Sequence, residues 1–409
     1  MIMSDAINKD EIRERLLKTA RDMVPALRER ATETAELCHL PESTIREMVD
    51  SGMFRALQPA KWGGYELDPV DFYKIQMILA EGCMSTAWVY GVVGVHSWQM
   101  GLFDDRAAQE FWGDDTSKLI SSSYMPIGRV TPVEGGYRLS GQWGFSSGSK
   151  HCDAVFLGAI CPPEEGADAD APADARTFMV LEGEYQIVDN WDVMGLRGTG
   201  SHDVVVDDIF VPDYRTHKFS DGFNMQNPGN AVNDGTLYHL PFGAVFTRAV
   251  STSSVGALRG AMDTFIAQKA KPLPARSTRG TQDPYMLQAV AKVEATINQV
   301  RNMVINDMEN MMAKLSPGGG GLSIEERLNM RQNAALASDM CCDAMDILMK
   351  HCGGGSIFYD HPINLVFRDL HSGRTHAANA PDPCGSAYSS YVLDTSPDKD
   401  GFRSEYGFI

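Results

Sequence analysis

Apolar residues recur at helical spacing near the start of the chain. Ile12, Leu16, Ala20, Met23 or Val24, and Leu27 share one face behind Asn8 and Glu11, which form a capping-box pattern. Pro41 and the Asp68-Pro69 pair each mark a further helix start, with Gly52 as a stop between them. This predicts a mainly helical region over residues 1–120. Beyond it the apolar positions alternate, which predicts strands over Leu119 to Tyr124, Tyr137 to Phe145, Ala154 to Ile160, Phe178 to Leu181 and Val204 to Val211. Between two of them lies PPEEGADADAPADAR, residues 162–176, whose acidic, Ala- and Pro-rich composition predicts a solvated surface loop. Helical spacing then returns, with helices expected at about Phe242 to Gln268, Pro284 to Leu315, Ser323 to Cys352 and from about His361. Loops around Pro272 and Pro274, the glycine run ending at Gly321, and Gly353 to Gly355 separate them. The chain divides into helices (1–120), a β-rich middle (121–234), a helical bundle (235–394) and a short tail (395–409).

The middle region is organised around Trp191 to Pro212, WDVMGLRGTGSHDVVVDDIFVP. Gly195, Gly198 and Gly200 permit positive φ and a β-branched run follows, so a tight turn feeding a buried strand is expected. At 409 residues the chain is too long for one hydrophobic core, and two or three are expected. A net charge of −18 with no basic stripe argues against nucleic acid or an anionic membrane as partner. No run of about 18 apolar residues and no basic-then-apolar N-terminal pattern occurs, so a soluble, cytoplasmic protein is expected. The eight cysteines include no CxxC pair and read as reduced core residues. His151 and Cys152 lack further ligands at metal-site spacing, and the glycine run lacks the Lys-Ser/Thr of a phosphate loop.

Four stretches, in this order, carry a resemblance to a known family. They are WGFSSGSKH (143–151), the turn and strand from Gly195 to Pro212, Arg276 with Gly280 and Gln288, and CGGGSIFYDHPINLVFRDLHSGRTH (352–376). Together they resemble the acyl-CoA dehydrogenase superfamily. The resemblance implies a mainly α fold with a central β domain: an N-terminal helical domain, a middle β-barrel or sandwich, and a C-terminal four-helix bundle. It implies a flavin contacted by Trp143, Phe145, Ser146, Ser147, Arg197, Gly198, Thr199, Arg276, Gln288 and His376. It further implies a homotetramer with sites completed across subunits.

The fold alone does not set the reaction. Proton abstraction from an acyl thioester requires a carboxylate base, and the positions matching the dehydrogenase Tyr-Glu pair are His376-Ala377, while Phe246 aligns near the alternative Glu. The WVYGVVGVH stretch (88–96), Ser121-Ser122-Ser123, FSSG (145–148) and RTH (374–376) instead resemble the oxygenase components of two-component flavin monooxygenases that act on phenols. Dibenzothiophene-type relatives are more distant; they carry a further His where this chain has Asn379.

That resemblance implies hydroxylation of a small phenol ortho to its hydroxyl, through a C4a-hydroperoxyflavin formed from FMNH2 or FADH2 and O2. His96 is then the base toward the phenol, with Ser122 orienting its oxygen and Trp88 an aromatic wall. Ser147 is placed at flavin N5 and His376 at the peroxy group, with His371 as a neighbouring alternative. No GxGxxG turn occurs between a strand and a helix, so a separate NAD(P)H:flavin reductase is expected as a transient partner. Two other readings stay open: a sulfur- or nitrogen-oxygenase, for which His96 is dispensable, and an acyl-CoA dehydrogenase or oxidase.

Overall fold

The computed structural model describes residues 8–163, 173–270, 283–393 and 395. Arg276, Gly280 and the loop at Pro272 and Pro274 lie outside these, as do most of the acidic segment and the tail.

Five helices open the chain: α1 (Lys9–Leu37), α2 (Glu42–Ser51), α3 (Pro69–Gly82), α4 (Met84–Met100) and α5 (Asp105–Trp112). The Asn8 side chain accepts the Glu11 N–H, and Leu16, Ala20, Met23 and Leu27 turn inward. Helix α2 ends at Gly52 with φ 80°, and α3 starts at the Asp68 cap with Pro69 at its first position. Every residue of α4 is buried, so this helix runs through the core rather than along its edge.

Seven strands follow: β1 (Ile120–Val133), β2 (Gly136–Ser146), β3 (Ala154–Cys161), β4 (Asp174–Leu181), β5 (Gln186–Val188), β6 (His202–Pro212) and β7 (Thr216–Lys218). They form one sheet in the order β5-β6-β2-β1-β3-β4-β7. The long β1 belongs to both halves. Its first part runs parallel to β3, its last part pairs antiparallel with β2, and the register shifts between Ser123 and Gly128. A separate apolar core sits within the sheet domain around Trp143, Leu139, Leu157, Phe178, Val180 and Val204.

The chain then returns to helices: α6 (Phe219–Asn224), α7 (Phe242–Ser251), α8 (Ser253–Lys269), α9 (Pro284–Leu315), α10 (Ile324–Met349), α11 (Pro362–Arg374) and α12 (Pro381–Val392). The buried faces of α7 to α11 and of α1 to α5 share one continuous core. A small third cluster forms around Leu328 and Ala387.

Several expectations change. The helix expected over Phe242 to Gln268 is two helices meeting at Thr252, and Asp174 to Arg176 of the expected acidic loop begin β4. The strand after the turn alternates between buried and accessible positions, because only one of its faces meets the inner core. Strands β5 and β7 are too short to show periodicity, and α12 is Ser-, Gly- and Pro-rich, so none was expected.

The glycine turn is fixed to the helices at two points. A Cβ at Gly195 would stand 2.2 Å from the Arg368 carbonyl oxygen of α11, so only glycine fits there. The buried Asp369 carboxylate accepts the Leu196 N–H at 2.7 Å. Asp369→Ala leaves that N–H buried without an acceptor and is expected to destabilise the protein by about 1–3 kcal/mol in urea melts. A change well under 0.5 kcal/mol, roughly the lower bound for one hydrogen bond, would remove Asp369 from this role.

Candidate active site

Helix α4 carries the two ends of the site. Trp88 and His96 lie two helical turns apart, about 12 Å along the axis. Around each, side chains from the sheet and the C-terminal helices converge.

At the His96 end the imidazole is fully buried, and its Nδ1 lies 2.6 Å from the Ile120 carbonyl oxygen at the start of β1. A carbonyl only accepts, so Nδ1 carries the proton and Nε2 presents a lone pair. That Nε2 has no hydrogen-bond partner among the described residues. Phe156 and Tyr124 meet the ring edge-on at 5.6 and 6.0 Å. Tyr124 also packs against Phe242 and Phe246 of α7, which stack on each other. Phe246, at the position expected for a dehydrogenase glutamate, is thus part of an aromatic enclosure. Ser122 lies near the Tyr124 hydroxyl, which donates to Gln99 Oε1. The Gln99 Nε2 is buried and unpartnered among the described residues. Tyr124 and Gln99 were not found from sequence, although Gln99 lies one turn beyond His96 on α4. Burial pushes the His96 pKa down to about 4, against the Ile120 hydrogen bond that pulls it up, which makes the expected base a weak one.

At the Trp88 end the indole N–H donates to Ser147 Oγ at 3.3 Å. His376 meets the Trp88 ring edge-on at 5.7 Å. Its Nδ1 accepts the Ala378 N–H at 3.0 Å, capping a short turn, so its Nε2 carries the proton. Arg331 holds the same turn through the Ala378 carbonyl at 2.8 Å. Burial first, and then the Arg331 charge, lower the His376 pKa to about 4. The two histidines are therefore neutral with opposite polarity: His96 offers an acceptor and His376 a donor. His371 is turned away on α11, with Nε2 3.0 Å from Asp346 and its ring on Phe367.

Not every residue expected at the site is there. Trp143 is fully buried in the sheet core, its N–H bonded to the Gly158 and Met125 carbonyls. Ser146 is buried against Ser121 Oγ at 3.1 Å. Arg197 binds the Ala35 carbonyl, Asp192, the Val193 carbonyl and Cys38, which clamps the end of α1 to the turn. A Cβ on Gly198 would meet Thr34 at 2.3 Å, so its role is close packing. Gln288 is exposed near the start of α9. Thr199 does reach the site, since its hydroxyl bonds Ser201 Oγ, the partner of Ser147. No cluster of metal ligands forms among the described residues.

The fit to a reduced flavin rests on these groups. Ser147 and His376 flank the Trp88 indole; Phe145, two residues before Ser147, is 66% exposed with φ 66°, its ring edge-on to Trp191. A hydroxyl and an imidazole N–H around an indole suit a flat ring with polar edges.

Comparison with known proteins decides the family. Residues 8–110 match the acyl-CoA dehydrogenase N-terminal domain and residues 249–381 the acyl-CoA dehydrogenase C-terminal domain. The chain is 35% identical to the flavin-dependent monooxygenase oxygenase subunit HsaA of Rhodococcus jostii, over 88% of this chain and 93% of the relative. It belongs to the flavin-dependent monooxygenase oxygenase subunits of acyl-CoA dehydrogenase fold. The crystal structure of the Mycobacterium tuberculosis HsaA monooxygenase superposes with a TM-score of 0.89 at 32% identity, covering 97% of this chain and 100% of the other. The p-hydroxyphenylacetate 3-hydroxylase oxygenase component of Acinetobacter baumannii is 26% identical over 94% of this chain and 90% of its own length. As an oxygenase subunit of this family the chain uses reduced flavin, with O2 as co-substrate.

Histidines held neutral tie stability to pH; His96 is fully buried and His376 partly so. In the unfolded chain imidazoles take up protons near pH 6.5. Folded His96 and His376 resist protonation down to about 4, so the unfolded state binds more protons between these values. Their contribution to stability is full above about pH 6.5 and is lost as pH falls toward 4. Asp71 and Asp369, raised by burial to about 6 and about 7, pull the opposite way. The readout is therefore a difference. Between about pH 7.5 and 5, wild type is expected to lose more stability than His96→Phe in urea melts. An equal loss would show that His96 is not held neutral.

Proposed function

We propose that this chain hydroxylates a phenol ortho to its hydroxyl, taking FMNH2 or FADH2 from a separate NAD(P)H:flavin reductase. The observation that carries the reading is His96 Nε2: a buried lone pair with no partner in an aromatic enclosure, matched to a phenol's ring and O–H. The phenolic substrate in the name of the p-hydroxyphenylacetate 3-hydroxylase supports it, as do both relatives' designations as oxygenase subunit or component. An acyl-CoA dehydrogenase is disfavoured because Phe246 and His376-Ala377 stand where its base belongs.

Bound reduced flavin supplies the two electrons that, with O2, place one oxygen atom on the ring and release the other as water. The protein's part is to hold protons and exclude solvent. His96 accepts the phenol hydrogen bond and draws electron density onto the ring carbon ortho to the oxygen. With His96 near 4 and a phenol near 10, complete transfer before reaction is uphill by roughly 8 kcal/mol. His96 therefore holds the proton as an acceptor and takes it up as the ring loses electrons. Ser122 orients the phenol oxygen beside Tyr124, and Trp88 walls the space toward the flavin. His376 presents its Nε2–H to developing negative charge on oxygen.

The chain assembles as a homotetramer in this reading. The exposed Ile357, Phe358 and Tyr359, at 71, 65 and 78%, support apolar contact with another copy. Arg276 and Gln288 are proposed to reach a flavin across such a contact. Eight free cysteines suit a reducing cytoplasm, and no described helix is long and apolar enough to cross a membrane.

His96→Ala is expected to lower the rate of phenol hydroxylation by about 10²–10⁴-fold while leaving reduced-flavin binding within about twofold, measured by single-turnover product analysis. Full hydroxylation of every phenol that wild type accepts would refute His96 as the proton acceptor.

A further inference from the structure

Three hydroxyls lie in a row behind Trp88. Ser147 Oγ is 2.7 Å from Ser201 Oγ, and Ser201 Oγ is 2.6 Å from Thr199 Oγ1. Thr199 Oγ1 reaches the Leu196 carbonyl at 2.8 Å, and Trp88 Nε1 reaches Ser147 Oγ at 3.3 Å. All three side chains are buried.

The ends of this row are one-way groups. An indole N–H only donates and a backbone carbonyl only accepts. Each hydroxyl has one proton, so the order is forced. Thr199 gives its proton to the Leu196 carbonyl, Ser201 gives its proton to Thr199, and Ser147 gives its proton to Ser201. Ser147 is left with no proton for a ligand, only a lone pair.

From this we infer that Ser201 and Thr199 are positioning residues that turn Ser147 into a pure acceptor and so select reduced over oxidised flavin. Reduced flavin has a hydrogen on N5, which a lone pair accepts. Oxidised flavin has a lone pair on N5, which, if N5 is seated at Ser147 as the flavin reading has it, would face the Ser147 lone pair without a proton between them. This rests on the flavin reading of the site and gives it a direction of traffic. An oxygenase without its own reductase must admit reduced flavin and release the oxidised form after each turnover. The row of hydroxyls supplies that preference at one atom. The backbone that anchors it is fixed in turn, because Leu196 N–H is held by Asp369.

The test is equilibrium binding of oxidised and, anaerobically, reduced flavin, with FMN and FAD tried separately. The readout is the ratio of the two dissociation constants. Wild type is expected to favour the reduced form. Ser201→Ala frees the Ser147 proton to face oxidised N5, so the ratio should fall by about tenfold, the worth of one hydrogen bond. Ser201→Thr should restore it, Thr199→Val should lower it as Ser201→Ala does, and Ser201→Ala added to Ser147→Ala should change nothing further. A general loosening of the fold would weaken both flavins and leave the ratio in place. If wild type prefers reduced flavin and both Ser201→Ala and Thr199→Val keep that preference, the hydroxyl row does not set it. If wild type binds neither flavin, the reading of the site fails, and the inference with it.

Discussion

A helix buried on every side holds the arrangement together. Because no face of α4 meets solvent, its polar side chains each need a partner within the protein or a ligand. The Trp88 N–H has Ser147, and His96 Nδ1 has the Ile120 carbonyl. His96 Nε2, Gln99 Nε2, Thr86 Oγ1 and the Tyr90 hydroxyl have none among the described residues. Unsatisfied groups in a dry core are costly, and in the proposed reading the hydroxyl of an aromatic molecule satisfies His96 Nε2.

Backbone groups then decide what each side chain offers. One carbonyl at the start of β1 makes His96 an acceptor, and one N–H after α11 makes His376 a donor. Both imidazoles are kept neutral by burial, so neither role depends on a charge that neutral pH would remove. The same logic runs through the glycine turn. It bonds to α11 through Asp369 and to the end of α1 through Arg197, and so places the hydroxyls of Thr199 and Ser201 beside Ser147. Chemistry at the Trp88 end is set by elements from all three parts of the chain.

The order of elements was legible because long periodic segments dominate it: α1, α9 and α10 show their apolar faces directly, and the β-branched run of β6 shows its strand. The break at Thr252 was not, since SerThrSerSer continues a helix without a proline or glycine. Among candidate site residues, His96 and His376 stand out in the sequence as single chemical types in motifs, and the structure places the first on α4 and the second against an α4 side chain. Trp143 and Arg197 were misplaced because a motif gives position in the chain but not the direction of a side chain: one points into the sheet core, the other toward α1. Ser201, Tyr124 and Gln99 carry no signal of their own. They join the candidate site only through partners far away in sequence.

The most direct measurement of the central claim is the fate of labelled oxygen. Protein premixed anaerobically with reduced flavin and a panel of phenols would be exposed to ¹⁸O₂, and the products analysed by mass. The account requires one labelled atom in a catechol from at least one phenol, with no nicotinamide cofactor present. Quantitative labelled hydrogen peroxide with every phenol recovered unchanged would contradict it.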